Sequence, residues 1–299
     1  MLPASRRRGD RLGRVRERVK KWIGPAGTNA IRGWLEPLRL APIHESIRRY
    51  GWDPARLAMS DGQAAVHFAN EVPLDGFGRM VVRFFHEFKV DFLRQNLSED
   101  YIVRSDFLEV GDSDGLLLGA LGKTGFSVNN DPRCIELIRQ NGVQAQLGVG
   151  EKLDVPDKSC DVAMSFETLE HSLNPAVFLQ EMTRVARQRI ILSVPGVTQT
   201  IIHPRVRGLR PGEEHVFEFC SRDLLRLATH LPLRLARFGK MSVFAPPANP
   251  AAALYYLTAR GPDLFGGCFR WFDFYVFDVV DGDQGRTRAE SAAAYFERR

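Results

Sequence analysis

Cysteine is scarce in this 299-residue chain, and the four present (Cys134, Cys160, Cys220, Cys268) stand far apart with no CxxC pair. That spacing excludes a zinc ribbon and a disulfide framework, and fits a reducing cytoplasm. No stretch approaches 18 consecutive apolar residues, which excludes a membrane-spanning helix. Aromatic residues are missing among the arginines of the first 21 positions, so the stacking platform of a single-strand nucleic-acid binder is lacking. Internal repeats are missing too. What is present is ordinary globular material, 44% hydrophobic and 26% charged, long enough for two domains or one large domain with additions. The formal charge is +5, but it is unevenly placed. Residues 1–21 hold nine Lys/Arg against Asp10 and Glu17, a net +7, and the first 50 residues reach +9. The rest of the chain is therefore net −4. The basicity belongs to an N-terminal appendage, and no nucleic-acid partner is expected.

Within that appendage Leu12, Val15, Val19 and Trp22 recur at helical spacing, giving a narrow apolar stripe flanked by arginines. Residues 1–27 read as a basic amphipathic segment. Residues 1–23 suit peripheral contact with an anionic inner-membrane surface; a targeting segment and a solvated terminus are the competing readings. Gly24-Pro25-Ala26-Gly27 ends it, and 28–103 read as a helical cap or lid region, with phenylalanines crowded over 80–95 in a buried helix or a lid. From Phe107 the texture changes to short apolar runs at 107–110, 126–128, 143–145, 162–166 and 190–194. Helical stretches at 116–121, 133–139 and 177–186 fall between most of them. Strands alternating with helices predict βαβ units and a parallel sheet, the α/β class. Ser221 is placed to cap a further helix. Strand-like runs follow at 233–238 and 270–280, separated by a Pro/Ala/Gly-rich lid insertion at 245–268.

The most informative segment is Phe107-Leu108-Glu109-Val110-Gly111-Asp112-Ser113-Asp114-Gly115-Leu116, a strand, a glycine turn and a helix start. Ligands of open α/β sheets sit at the carboxyl ends of strands, where such a turn lets backbone approach them. A dinucleotide's pyrophosphate would be repelled by Asp112 and Asp114. A serine hydrolase would use Gly111-Asp112-Ser113-Asp114-Gly115 as a GxSxG elbow with Ser113 as nucleophile, but the preceding residues lack the strands and oxyanion loop of that fold. S-adenosyl-L-methionine (SAM) carries an ammonium and a cationic sulfur, so acids near the turn attract it.

Residues 104–220 resemble a class I SAM-dependent methyltransferase, in particular the broad small-molecule "methyltransferase type 11" group. Leu108–Gly115 is similar to the glycine-rich first motif, Leu153–Val162 (LDVPDKSCDV) to an "LPFPDxSFDV" segment, and Leu169-Glu170-His171 with Asn174-Pro175 to an "LEH…P" turn. Glu181 with Arg184-Val185, and Ser193-Val194-Pro195-Gly196, complete five motifs in order. The resemblance implies a Rossmann-like, seven-stranded, mostly parallel sheet with helices on both faces. It makes 104–299 the SAM-binding methyltransferase domain, with a helical N-terminal extension and the last two strands as an antiparallel hairpin. It implies a SAM site built from Glu109, Gly111, Asp112, Ser113, Gly115, Asn129, Glu151, Leu153 and Phe166, and a small-molecule or glycan/lipid-intermediate acceptor methylated on oxygen. Three positions depart from the family pattern. Ser113 replaces the middle glycine, Asn129 replaces the ribose-gripping acid with neighbouring Asp131 as a possible aid, and Val149 replaces the acid facing adenine, leaving Glu151 as substitute. These departures also motivate a second reading, a SAM-fold binding or scaffold protein without catalysis.

His171 and His215 are the candidate bases, since an imidazole titrating near neutrality suits taking a hydroxyl proton. Glu167-x-x-Glu170-His171 resembles a pattern that binds a divalent cation in ubiquinone-type O-methyltransferases. The same letters occur in metal-free relatives, and no metal is expected. The run Glu213–Phe219 carries His215 either over the active site or into a half-buried strand. Arg205 is a candidate clamp for an anionic substrate, Cys160 is read as core, and the aromatics of 269–277 as sheet core on both faces.

Overall fold

A computed structural model describes residues 76–123, 125–197, 199–202, 215–242 and 271–280, with scattered positions within 22–51 and 250–254. The basic segment 1–21, Arg205 and nearly all of the 245–268 insertion lie outside the described residues. Two helices come first, α1 (Gly76–Asn96) and α2 (Glu99–Arg104). Strands and helices then alternate: β1 (Phe107–Val110), α3 (Leu116–Ala120), β2 (Phe126–Asn129), α4 (Pro132–Gln140), β3 (Gln144–Leu147) and β4 (Cys160–Phe166). A 3-10 turn (Leu169–His171), α5 (Pro175–Val185) and β5 (Ala186–Pro195) follow, then the short pair β6 (Ile201–Ile202) and β7 (Phe217–Glu218). The fold closes with α6 (Ser221–Ala228), β8 (Leu233–Ser242) and β9 (Trp271–Val279). None of the described helices is long and apolar enough to cross a membrane.

Seven strands form one sheet in the order β3-β2-β1-β4-β5-β9-β8. The first five are parallel; β9 runs antiparallel between β5 and β8, so the last two strands are the expected hairpin. The central strands are buried on both faces, which is why β1 and β4 read as mostly apolar runs without polar alternation. Phe107, Met164, Ile191, Phe274 and Val276 pack toward α1–α4, while Leu108, Ala163, Leu192, Tyr275 and Phe277 pack toward α5 and α6. The aromatics of β9 thus fill both faces, as strand alternation requires.

The phenylalanine-rich stretch is a buried helix. Phe88 and Phe92 of α1 lie 5.5 and 4.5 Å from the Phe274 ring, and Phe85 meets Phe272 edge-on at 5.0 Å. Aromatic burial of this size anchors α1 to the sheet and fixes which of its polar residues reach the strand ends. Helix starts follow local chemistry: Asp131 caps α4 and Asn174 caps α5, each just before a proline. One expectation shifts. The residue capping α6 is Cys220, and Ser221 is already helical. Thr200 supplies the polar contact instead, its Oγ1 accepting from the Cys220 N–H at 3.1 Å and donating to Asp223 at 2.6 Å.

Candidate active site

Gly111 leaves β1 at φ +90° and Gly115 opens α3 at φ +74°, both in the region that favours glycine. A Cβ on Gly111 would fall 2.1 Å from Thr168 Oγ1, so the turn after β1 and the turn after β4 touch here. Asp112 holds the first turn. Its Oδ1 accepts the N–H groups of Asp114 (3.0 Å) and Gly115 (2.8 Å), and its Oδ2 accepts the Ser127 hydroxyl at 2.6 Å. Burial pushes the Asp112 carboxyl up, and the Ser127 and turn N–H bonds pull it back. Asp114 accepts the Leu116 N–H at 3.0 Å. The paired aspartates read as attracting a cation are therefore turned inward, 4% and 1% exposed. Ser113 stands half-buried between them. The carboxyl left over is Glu109. It is buried in β1, its Oε2 meets no hydrogen-bond donor, and burial with the nearby Asp112 charge pushes its pKa well up.

The other positions on the cofactor list are braced by neighbours. Asn129 uses both ends of its amide, donating to the Asp112 carbonyl (2.6 Å) and accepting the Asp131 N–H (2.7 Å). Glu151 accepts the Ser172 hydroxyl at 2.6 Å and the Leu173 N–H at 3.0 Å, tying the end of β3 to the turn after β4. Leu153 is buried, with its N–H held by Glu181 at 2.9 Å. Phe166 is buried at the end of β4. Cys160 lies in the core as read, and burial pushes its thiol to about 12, away from nucleophile chemistry.

At the end of β4 the chain turns at Glu167, a non-glycine residue at φ +48°. Ser193 of β5 donates to one Glu167 oxygen, and Lys89 of α1 lies 2.6 Å from the other. The Lys89 side chain is 12% exposed, with its ammonium 5.5 Å from the centre of the Phe166 ring. Burial works to lower its pKa, but the Glu167, Glu109 and Asp114 charges outweigh burial and raise it. The 3-10 turn then presents Glu170 and His171. The small β6–β7 sheet lies against it, held by the Val216 N–H donating to the Glu170 carbonyl at 2.8 Å. This brings His215 beside His171, ring centroids 4.9 Å apart. His215 Nδ1 is 3.1 Å from Glu218 Oε1, and its Nε2 is 4.0 Å from Glu170 Oε1. The Glu170 carboxyl is buried with no hydrogen-bond donor on either oxygen, and burial pushes its pKa well up. Glu170, His171 and His215 are the described residues whose ligand atoms lie close enough to hold a metal ion. Glu167, already paired with Lys89 and Ser193, is not in that set.

Three groups here escaped sequence reasoning. Lys89 lies in a run whose phenylalanines drew the reading toward packing. Glu218 lies in the run Glu213–Phe219, where the sequence gives it no role of its own. Asp273, which alternates with the aromatics of 269–277, is wholly buried in β9 and pushed up to about 6 by burial.

The sheet order, the glycine turn after β1 and the polar turn after β4 define a Rossmann-like fold of the class I methyltransferase type. Residues 108–193, from β1 through most of β5, match the family model described as a methyltransferase domain. The chain carries a SAM-dependent methyltransferase domain, and S-adenosyl-L-methionine is its cofactor. Within that domain Ser113 belongs to the glycine-rich turn, so the hydrolase reading falls away. Among solved structures, the chain is similar to a Haloferax volcanii protein solved in complex with the Trm112 methyltransferase activator, at 14% identity over 67% of this chain and 98% of that one, TM-score 0.49. It is also similar to magnesium protoporphyrin IX methyltransferase of Synechocystis PCC 6803 with bound SAH, at 13% identity, 71% and 91% coverage, TM-score 0.47. The YcgJ protein of Bacillus subtilis is similar at 14% identity, 66% and 100% coverage, TM-score 0.47. No curated protein matches the chain.

The residues present fit this cofactor. Glu109, two residues before the Gly111 turn, is buried with its Oε2 lacking a hydrogen-bond partner, an acceptor suited to a cationic ligand.

Proposed function

We propose that the protein methylates a hydroxyl oxygen of a small-molecule or glycan/lipid-intermediate acceptor, with His215 as general base and His171 beside it. The observation that carries this reading is the convergence of His171 and His215 over the turn after β4, rings 4.9 Å apart, with Glu218 on Nδ1 of His215. A carboxylate only accepts, so Glu218 favours the tautomer in which Nδ1 donates and Nε2 keeps its lone pair. Nε2 is then the atom able to take a proton from an acceptor hydroxyl. The resulting imidazolium keeps the Glu218 carboxylate 3.1 Å from Nδ1, which stabilises the charge as it forms. When bound, SAM supplies the electrophilic methyl group; the chain's own part is alignment and proton removal.

The test is turnover of SAM by the purified protein on panels of phenols, sugar alcohols and hydroxylated lipid intermediates, with the methylated atom located by mass spectrometry and NMR. The expected product is an O-methyl ether. His215→Gln should lower kcat by roughly 100-fold with little change in SAM affinity. Products methylated solely on nitrogen or carbon, or a variant as fast as the wild type, would sink the reading.

A further inference from the structure

We propose that Lys89 and Glu167 together form the receptor for the amino-acid end of SAM: Lys89 takes the α-carboxylate and frees Glu167 for the α-ammonium. The inference rests on SAM as the cofactor and goes beyond the methyltransferase domain match, because Lys89 lies on α1, outside residues 108–193.

The amino-acid end of SAM is a zwitterion, so its site must offer one group of each sign, side by side and sheltered from water. Lys89 Nζ and Glu167 Oε2, 2.6 Å apart, are such a pair. They sit at the end of β4, beside the turn where Gly111 and Thr168 touch. Both side chains are mostly buried, 12% and 22% exposed, so the attraction is little screened. Without ligand each satisfies the other. A zwitterion inserted between them replaces one ion pair by two, with no net charge left behind. The surroundings also hold the ammonium to this place. Phe88 and Phe92 seat α1 against Phe274, and the Lys89 ammonium lies over the Phe166 ring. The pair costs more to bury than an apolar pair of the same volume, which sits ill with a purely structural role.

Calorimetric titration with three ligands separates the possibilities: SAM, its decarboxylated analogue, and 5′-methylthioadenosine, which lacks the amino-acid end. The wild type should prefer SAM over the decarboxylated form. Lys89→Met should lose that preference by roughly tenfold or more while binding methylthioadenosine as the wild type does. Lys89→Arg should keep part of it. Thermal melting of each variant, without ligand, reports the fold. The proposal is overturned if Lys89→Met keeps the wild-type preference, or if it binds SAM more tightly, which would make Lys89 a competing counter-ion. It is equally overturned if methylthioadenosine affinity falls in step with SAM affinity. A wild type that binds methylthioadenosine and SAM alike refutes the receptor alone. A wild type that binds none of the three refutes the cofactor reading on which it rests.

Discussion

The turn after β1 holds Asp112 and Asp114 against N–H groups of its own next residues, whereas the turn after β4 aims Glu167 and Glu170 at side chains from α1, β5 and the β6–β7 arm. The two turns touch through Gly111 and Thr168, and both are acidic. The first uses its aspartates to build itself. The second is built by the fold around it: Glu167 keeps partners that a ligand can replace, and Glu170 is buried with no hydrogen-bond donor. Acidity near a cofactor is therefore a poor guide to which carboxylate meets the cofactor. Where the hydrogen bonds of each go is the better one.

The contrast breaks or holds most visibly at Asp112. Asp112→Ala leaves the Asp114 and Gly115 N–H groups and the Ser127 hydroxyl without their acceptor in a buried turn. The expected loss is about 3 kcal/mol, read as a fall in the urea midpoint. Unchanged stability would mean that the turn is held by its glycines alone.

Removing charge at the second turn has the opposite sign. Glu170 is buried without a hydrogen-bond donor on its carboxyl, and its folded-state pKa lies well above its unfolded one. Folding is thus helped by its protonated form, fully below about pH 4.3 where the unfolded chain is protonated too, and this help is lost as pH rises toward the folded pKa. Glu170→Gln keeps the shape and removes that dependence. It should stabilise the protein by about 1 kcal/mol at pH 7, with the advantage shrinking toward pH 4. A destabilised Glu170→Gln protein at neutral pH would erase the distinction between the turns.

The same contrast explains how much was legible in the sequence. The strand, glycine turn and helix at 107–120 are local: a strand buried throughout, two glycines and the aspartates that bond the turn all fall within a dozen positions, so both fold and motif could be read directly. The β9 aromatics announced a strand buried on both faces. The inward direction of Asp112 was missed because charge sign was weighed against the ligand, while the competing bonds to its own backbone were not. His215 is balanced in the sequence between active site and half-buried strand; it lies just before β7, and the pairing of β7 with β6 is what carries the ring to His171. Lys89 was hidden because its reach to Glu167 depends on α1 docking through Phe88 and Phe92, a tertiary fact with no spacing signature. Cap residues shift by one where a distant side chain, Thr200, satisfies the backbone instead of the expected serine.

The smallest expected effect lies at the opposite end of the sheet, and it separates bracing from chemistry. Asp161, at the start of β4, accepts Arg187 Nε at 2.8 Å, Gln188 at 2.9 Å and the Asp106 N–H at 2.9 Å. The Arg187 hydrogen bond above all holds its carboxyl down at about 2. A depressed folded pKa contributes stability that is fully present above about pH 3.9, the unfolded value, and is lost as pH falls toward 2. Arg187 is 38% exposed, so water screens the pair, and its worth is about 1 kcal/mol or less. Arg187→Leu should therefore flatten the acid limb of the stability–pH curve between pH 4 and 2 and leave SAM affinity and turnover unchanged at pH 7. Equilibrium unfolding at stepped pH reads the first effect and calorimetric titration the second. A change in SAM affinity would show that bracing at the amino ends of the strands reaches the site at their carboxyl ends. The lack of one would place the functional carboxylates entirely at the turns after β1 and β4.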